Sequence, residues 1–435
     1  MVRHTVAETA LTRTASLDPG PTPRHTPFHR ADGRVQPAEP NLIREELAAR
    51  LPAFAQPFLT WLTAKPANGE RVPDRSAHYH LRTAVASAAV GAAFSVGSLD
   101  LGGWVLALLP IGLLLTASGM GKLQAVIYHH CAHRTVFGTK RRNAFAGELL
   151  SVVLLLQRNA AYRQGHLKHH AARTLLDADG EFVSFLKDRL GLRIGAPKGL
   201  LWLTVALSFL SPLFHLRFLT GRVTGCFLSG SAAWNRAAFV YWSALLVAVA
   251  VSGVWIEFAI AWMLPLVPLL QIGTALRVLC EHRIPDPDIL ARRDRAFTCH
   301  ATSGVIAGEP APRPRATRIG TAGAWLGWWG RILTVHLFSR VFVLVGDAPA
   351  HDYHHRHPGS NRWRNYIAAR QEDAARGCPR YPVNYIETWG LFAAIDRTLG
   401  SLSRWRNMDA GAAGMSLSQV LQGERAAPVA QVTKS

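Results

Sequence analysis

Thiol chemistry has little to work with in this chain. Its five cysteines (Cys131, Cys226, Cys280, Cys299 and Cys378) are scattered over 435 residues and form no CxxC pair. That excludes a disulfide framework and a cysteine zinc site, and it fits a reducing compartment. Charge is scarce too, at 17% of residues against 49% hydrophobic. Acids are scarcer than bases, 28 against 48, which leaves a net charge of +20. There is no helix-turn-helix or zinc-finger spacing, so the basic excess points away from nucleic acid. It points instead to a cytoplasmic membrane surface, where Lys and Arg are favoured. Two further absences narrow the chemistry. No HExxH occurs, which disfavours a single catalytic zinc, and no Glu-x-x-His pair of the kind used by soluble di-iron bundles is present. The opening "MVRHTVAETALTRTASLDPG" has no apolar core of a secretory signal.

What the chain does have is long apolar runs. "TAVASAAVGAAFSVG" (83–97) and "WVLALLPIGLLLTASGM" (104–120) are separated by a short break, as are "AAFVYWSALLVAVAV" (237–251) and "FAIAWMLPLVPLLQIGTALRVL" (258–279). A helix needs about 20 apolar residues to cross a bilayer core of roughly 30 Å. Each pair therefore reads as a membrane hairpin, with Trp104, Trp255 and Trp262 as packing or interfacial anchors. The breaks carry only Asp100 or Glu257, whereas "TKRR", "ARRDR" and "PRPRATR" follow the returning helices. The positive-inside rule then puts the breaks outside and both termini in the cytoplasm. Three more apolar runs (144–157, 199–219 and 331–346) read as interfacial or packed beneath a cytoplasmic cap, with His215, Arg217, His336 and Arg340 at the wet edge. Residues 1–75 read as a disordered or interfacial tail, 76–405 as one membrane domain, and 406–435 as a second disordered tail.

The histidines stand out against this background. "YRQGHLKHH" supplies His166, His169 and His170, and "AHDYHH" repeats the HxxHH spacing 185 residues later with His351, His354 and His355. With 19 histidines in the chain, that pattern should arise by chance about 0.04 times. On a helix these positions share a face, so each triplet should aim three rings at one place. "HHCAH" adds His129 or His130 with His133 just past the second apolar run, and "LCEHRIPDP" adds His282 just past the fourth. Under the topology above, all of them fall on the cytoplasmic side. Nine imidazoles are too many for one zinc. Divided between two five- or six-coordinate metals they leave room for water and O₂, which favours two irons.

HxxxH, HxxHH and HxxHH around two membrane hairpins resemble the integral-membrane fatty acid desaturase superfamily, over roughly residues 78–400. The resemblance implies an all-α integral membrane protein with four transmembrane helices and a cytoplasmic helical cap holding a histidine-ligated di-iron site. It implies that His129, His133, His166, His169, His170, His282, His351, His354 and His355 are metal ligands, and that O₂ is a co-substrate. The expected activity is introduction of a double bond into a fatty acyl chain, presented as a lipid, an acyl-CoA or an acyl carrier protein thioester. "EHR" is also similar to the "EHY" element of alkane hydroxylases, and "HDYHH" to boxes of fatty acid and sterol hydroxylases. Hydroxylation and oxidative decarboxylation therefore stay open, as does a membrane metal carrier or sensor. The first box departs from the family pattern, with His130 where an acid is usual, which leaves the charge around the metal open. His357 in "HPGS" is similar to the haem-binding HPGG of cytochrome b5, but neither tail is long enough for that domain. Electrons are expected from a separate ferredoxin, cytochrome or reductase.

Overall fold

A computed structural model of the chain describes residues 40–177 and 180–404. The tails expected over 1–39 and 406–435 lie outside the described residues. Inside them the architecture is helical, with one short parallel strand pair.

Residues 40–75, expected to belong to the N-terminal tail, are packed. Helices α1 (Pro40–Arg50) and α2 (Gln56–Thr63) bury Leu47, Leu59 and Leu62 against Trp328 and Ile332. Arg44, fully buried, donates to the Lys65 carbonyl, Gln56 Oε1, Thr60 Oγ1 and Glu70 Oε2. The run "LPAFAQPFLTWLTA" is short and interrupted by proline, which hides its burial from a periodicity argument. Its apolar side chains nevertheless have a protein partner.

α3 (Ala77–Leu101) begins where Ser76 Oγ accepts from the Tyr79 amide and stops at Gly102, whose φ of 61° suits a residue without Cβ. α4 is helical without a break from Gly103 to His133, passing through a π-helical stretch, Leu123–Tyr128, immediately before the first histidine box. The two pack very closely. A Cβ added to Gly119 would lie 2.3 Å from the Ala88 amide nitrogen, and one on Gly91 2.4 Å from that of Thr116. In hydrocarbon, where apolar surface gains nothing by leaving lipid, such small-residue contact is what holds helices together.

α5 (Lys140–Val153) and α6 (Asn159–His169) follow. α7 (Lys198–Leu210) and α8 (Pro212–Phe227) meet at a bend of 68°. α9 (Ala232–Ser252) and α10 (Trp255–Glu281) form the second hairpin. Thus α3, α4, α9 and α10 are each long and apolar enough to cross a membrane. The runs at 199–219 and 331–346 pass the same test only as bent pairs; for the second, helix α11 (Arg318–Val343) turns by 81° into residues 348–356.

The remaining elements are strand β1 (Gly304–Ile306), helix α12 (His351–Arg356), helix α13 (Tyr366–Ala375), strand β2 (Glu387–Trp389) and helix α14 (Leu391–Arg404). β1 and β2 pair in parallel. α14 is strongly amphipathic, and its Leu391, Ile395, Leu399 and Leu402 join Leu276 and Leu279 of α10 in the largest apolar core.

Two of the four wet-edge residues are buried instead. Arg340 donates to the carbonyls of Trp61, Leu344 and Gly346 and to the Tyr366 hydroxyl, and His336 faces Glu309 at 3.6 Å. Their polarity is satisfied by protein groups that the expected tail and the α11–α12 corner bring in.

Candidate metal centre

Three helices and one extended residue deliver the histidines. His129 and His133 end α4, His166, His169 and His170 close α6, and His351, His354 and His355 make up most of α12. His282 follows α10 in extended conformation and is bridged to Thr302. Their donor atoms fall into two groups, His129, His133, His166, His170 and His354 in one, and His169, His282, His351 and His355 in the other. Within each group the ligand atoms lie within 4.8 Å of one another.

Each triplet is thus divided, contrary to the expectation that three rings converge on one point. His166 and His170 serve the first group and His169 the second; His351 and His355 serve the second and His354 the first. The reason is angular. At 3.6 residues per turn, positions i and i+4 are about 40° apart around the axis, while i+3 lies about 60° to the other side of i. The i, i+4 pair shares a target and the middle histidine addresses its neighbour.

In the first group Nε2 atoms approach in a chain: His129 to His354 at 2.7 Å, His354 to His170 at 3.1 Å, His170 to His166 at 2.9 Å, and His166 to His133 at 3.0 Å. In the second, His169–His282, His282–His351 and His351–His355 are each 3.0 Å. Hydrogen bonds cannot account for this. A neutral ring nitrogen carries either one hydrogen or one lone pair, so it cannot satisfy two such neighbours at once. His354, His170, His166, His282 and His351 each face two. A cation shared by the lone pairs resolves the conflict. For nitrogens about 2.1 Å from a metal, right-angled neighbours stand about 3.0 Å apart and tetrahedral ones about 3.4 Å. The observed spacings fit the right-angled arrangement of five- or six-coordinate ions.

The protonation states suit ligands. Burial pushes His170 and His282 well below the ordinary imidazole range and His169 down to about 4, so all three are neutral near pH 7. Outer partners orient several rings. Tyr162 Oη lies 3.1 Å from His129 Nδ1, Glu181 Oε2 3.4 Å from His166 Nδ1, and Glu281 Oε1 3.7 Å from His351 Nδ1. Such contacts fix ring orientation and raise ligand basicity.

His130 does not exchange with His129. Its Nε2 is 2.8 Å from Asp347 Oδ2, and its ring stacks on Trp363 with centroids 4.2 Å apart and planes 11° from parallel. It braces the box from outside. The acid missing after the first histidine is therefore matched in space by Asp347, 217 residues away in sequence.

A second support was illegible in the motif. Asp352, inside "HDYHH", takes two bonds from Arg370 at 2.8 and 2.7 Å. Arg370 also bonds Glu387 on β2, and Glu387 accepts from Lys65 Nζ at 2.8 Å. All four side chains are buried, so α12 is anchored through α13 and the strand pair to the N-terminal segment. Sequence spacing offers no signal for contacts made across such separations. His357 lies 3.2 Å from Asp373, a local bond that accounts for it without haem.

Beside the two groups is a cavity of about 160 Å³, lined by His129, His166, His169, His282 and His351. Its other walls are Phe182, Phe185, Phe218 and Val278, together with Tyr162 and the Arg277–Glu281 ion pair of α10, whose atoms are 3.1 Å apart. It borders both groups and is apolar on the side away from them.

Set beside known proteins, residues 102–389 match the family model described as fatty acid desaturase. The match runs from the Gly102 break to β2 and takes in every histidine of both groups. No curated protein and no solved structure matches the chain.

Proposed function

Because this chain belongs to the fatty acid desaturase family, whose members are membrane oxidoreductases of desaturase or hydroxylase type, we propose that it introduces a double bond into a fatty acyl chain at the expense of O₂. The observation that carries the reading is the pair of histidine groups with right-angled nitrogen spacings beside one cavity. Two iron ions are the metals it requires, one held by His129, His133, His166, His170 and His354 and the other by His169, His282, His351 and His355. Bound there, iron supplies the oxidising power to remove hydrogen from an unactivated carbon.

The chain's own residues do the rest. The neutral, buried imidazoles present lone pairs, not protons, to the metals. Phe182, Phe185, Phe218 and Val278 offer an alkyl segment an apolar path to the histidine wall and keep bulk water away from it. Glu281 and Arg277 neutralise each other, so no unpaired charge faces that segment. Electrons balance as follows. Reduction of O₂ to two waters takes four electrons, two from the substrate's carbon–hydrogen bonds and two from a separate reductant such as a ferredoxin, cytochrome or flavin reductase.

The proposed orientation keeps both termini and the histidines on the cytoplasmic side, next to soluble donors and acyl thioesters. The basic excess after α4 and α10 supports it. A lipid-linked substrate, an acyl-CoA and an acyl carrier protein thioester all meet the requirement for an acyl chain.

Product analysis tests the reaction. Purified protein with reduced donor, O₂ and labelled acyl substrates should yield an alkene with loss of two hydrogens. An alcohol without alkene assigns the same site to hydroxylation, and a chain shortened by one carbon with CO₂ assigns it to decarboxylation. Metal binding with no O₂ consumption on any donor would replace both with a carrier or sensor.

A further inference from the structure

A second and larger cavity, about 660 Å³, lies between the first hairpin, the N-terminal segment and the α11–α12 corner. That volume is typical of small-molecule sites. Its lining contains none of the nine histidines, so an occupant is not presented to the metals there.

The chemistry of the walls is divided. Trp61, Tyr79, Val341, Val345 and Ile367 supply apolar surface, and Arg71, Arg75, Lys122, Arg340 and Arg364 supply five cations. Among the described residues none of the five has an ion-pair partner. The lining's one carboxylate, Glu70, is already engaged by Arg44 at 3.1 Å and by Thr60 at 2.6 Å. Arg340 is spent on carbonyls and Tyr366, but Lys122 Nζ bonds only the Thr83 hydroxyl, at 2.5 Å, and Arg75 merely lies over the Tyr79 ring. His80 gives an independent sign of a missing partner. It is buried, its Nε2 faces the Arg364 carbonyl at 2.8 Å, and its Nδ1 has no partner among the described residues.

The cavity also has a direction. Tyr79, Thr83 and Ser87 follow i, i+4 and i+8 along α3, a run of about 12 Å, opposite Ser118, Gly119 and Lys122 of α4. It begins among the cations and continues along the seam of two membrane-length helices.

We infer that this cleft holds one membrane phospholipid with an anionic headgroup, its phosphate near Lys122, Arg71 and Arg75 and one acyl chain along the α3–α4 seam. The lipid ties the N-terminal segment to the first hairpin and is not a substrate.

The test uses the full-length protein in phosphatidylcholine nanodiscs doped with phosphatidylglycerol, with retained lipid counted by native mass spectrometry. Wild type should retain phosphatidylglycerol in preference to phosphatidylcholine. Lys122→Gln combined with Arg75→Gln should weaken that preference roughly tenfold or more, and Lys122→Arg should preserve it. Iron content of the variants reports whether they fold. Equal retention of both lipids by wild type, or a double variant that folds and keeps the preference, would overturn the assignment. So would displacement of phosphatidylglycerol by an acyl substrate, which would make the cleft part of the substrate path. The wild-type measurements decide even if the double variant fails to fold, and they are independent of whether the histidines carry out desaturation.

Discussion

The two histidine groups are assembled from the same two triplet helices, yet they are unequal. The first has five members, with His133 and His170 only partly buried, and takes a whole i, i+4 pair from the end of α4. The second has four, all buried, and its non-triplet member is the single His282, set in an extended residue after α10. For an ion of six ligand positions the first group leaves one free and the second leaves two. The first can lose a histidine and still match the second. The second drops to three if it loses one. Redundancy and openness are therefore distributed to opposite sides of one centre.

The largest effect expected from that asymmetry is on iron. His282→Ala should remove about half of the bound iron and lower product formation by at least a hundredfold or so, whereas His133→Ala should keep most of its iron. Elemental analysis of both purified variants checks this, and equal losses would break the comparison. Next come the buried supports of α12, which carries ligands for both groups. Arg370→Leu leaves Asp352 and Glu387 without their shared cation, and breaking such a buried pair costs about 3–5 kcal/mol. Thermal unfolding should move down sharply and both irons should become labile together. A loss confined to one iron would show that the groups do not share this anchor.

Outer partners should give smaller, separable changes. Glu281→Gln, acting on His351 of the sparse group, should reduce metal affinity by roughly 10–100-fold. Tyr162→Phe, acting on His129 of the redundant group, should reduce it less. Competitive chelation distinguishes the two. Acid should sharpen the picture without mutation. His169 is held near 4 by burial, so below the ordinary imidazole value of about 6.5 the unfolded chain takes up a proton that the folded one refuses. Metal-free protein should lose stability as pH falls from about 6.5 to about 4, with that contribution complete below. A pH-titrated melting series would show it. The smallest effect is expected at His130. His130→Gln keeps a group able to bond Asp347, so iron content should be unchanged and turnover should stay within about tenfold.

Legibility in sequence followed the range of the physics. Apolar runs are local, so the four membrane-length helices were readable to within a few residues. Histidine spacing is local as well, and it marked which helices carry imidazoles. The division of each triplet was there to be read too, because the 40° and 60° offsets follow from helical pitch alone. The expectation of a single convergence point overlooked them. What could not be read was long-range. Asp347 beside His130, and Lys65 beside Glu387, are contacts across 217 and 322 residues. Neither partner belongs to a motif. The packing of residues 40–75 was hidden for the same reason, since its apolar surface is completed by Trp328 and Ile332 far downstream.

Because α6 and α12 each hold ligands on both sides of their axes, neither helix can turn to suit one metal without disturbing the other. Rotation that draws His169 inward carries His166 and His170 away, and α12 imposes the same exchange in reverse. The two helices act as a pair of rigid rulers, setting the gap between the metals by backbone pitch instead of by side-chain flexibility. Any change in bond length at one position is then felt mechanically at its neighbour.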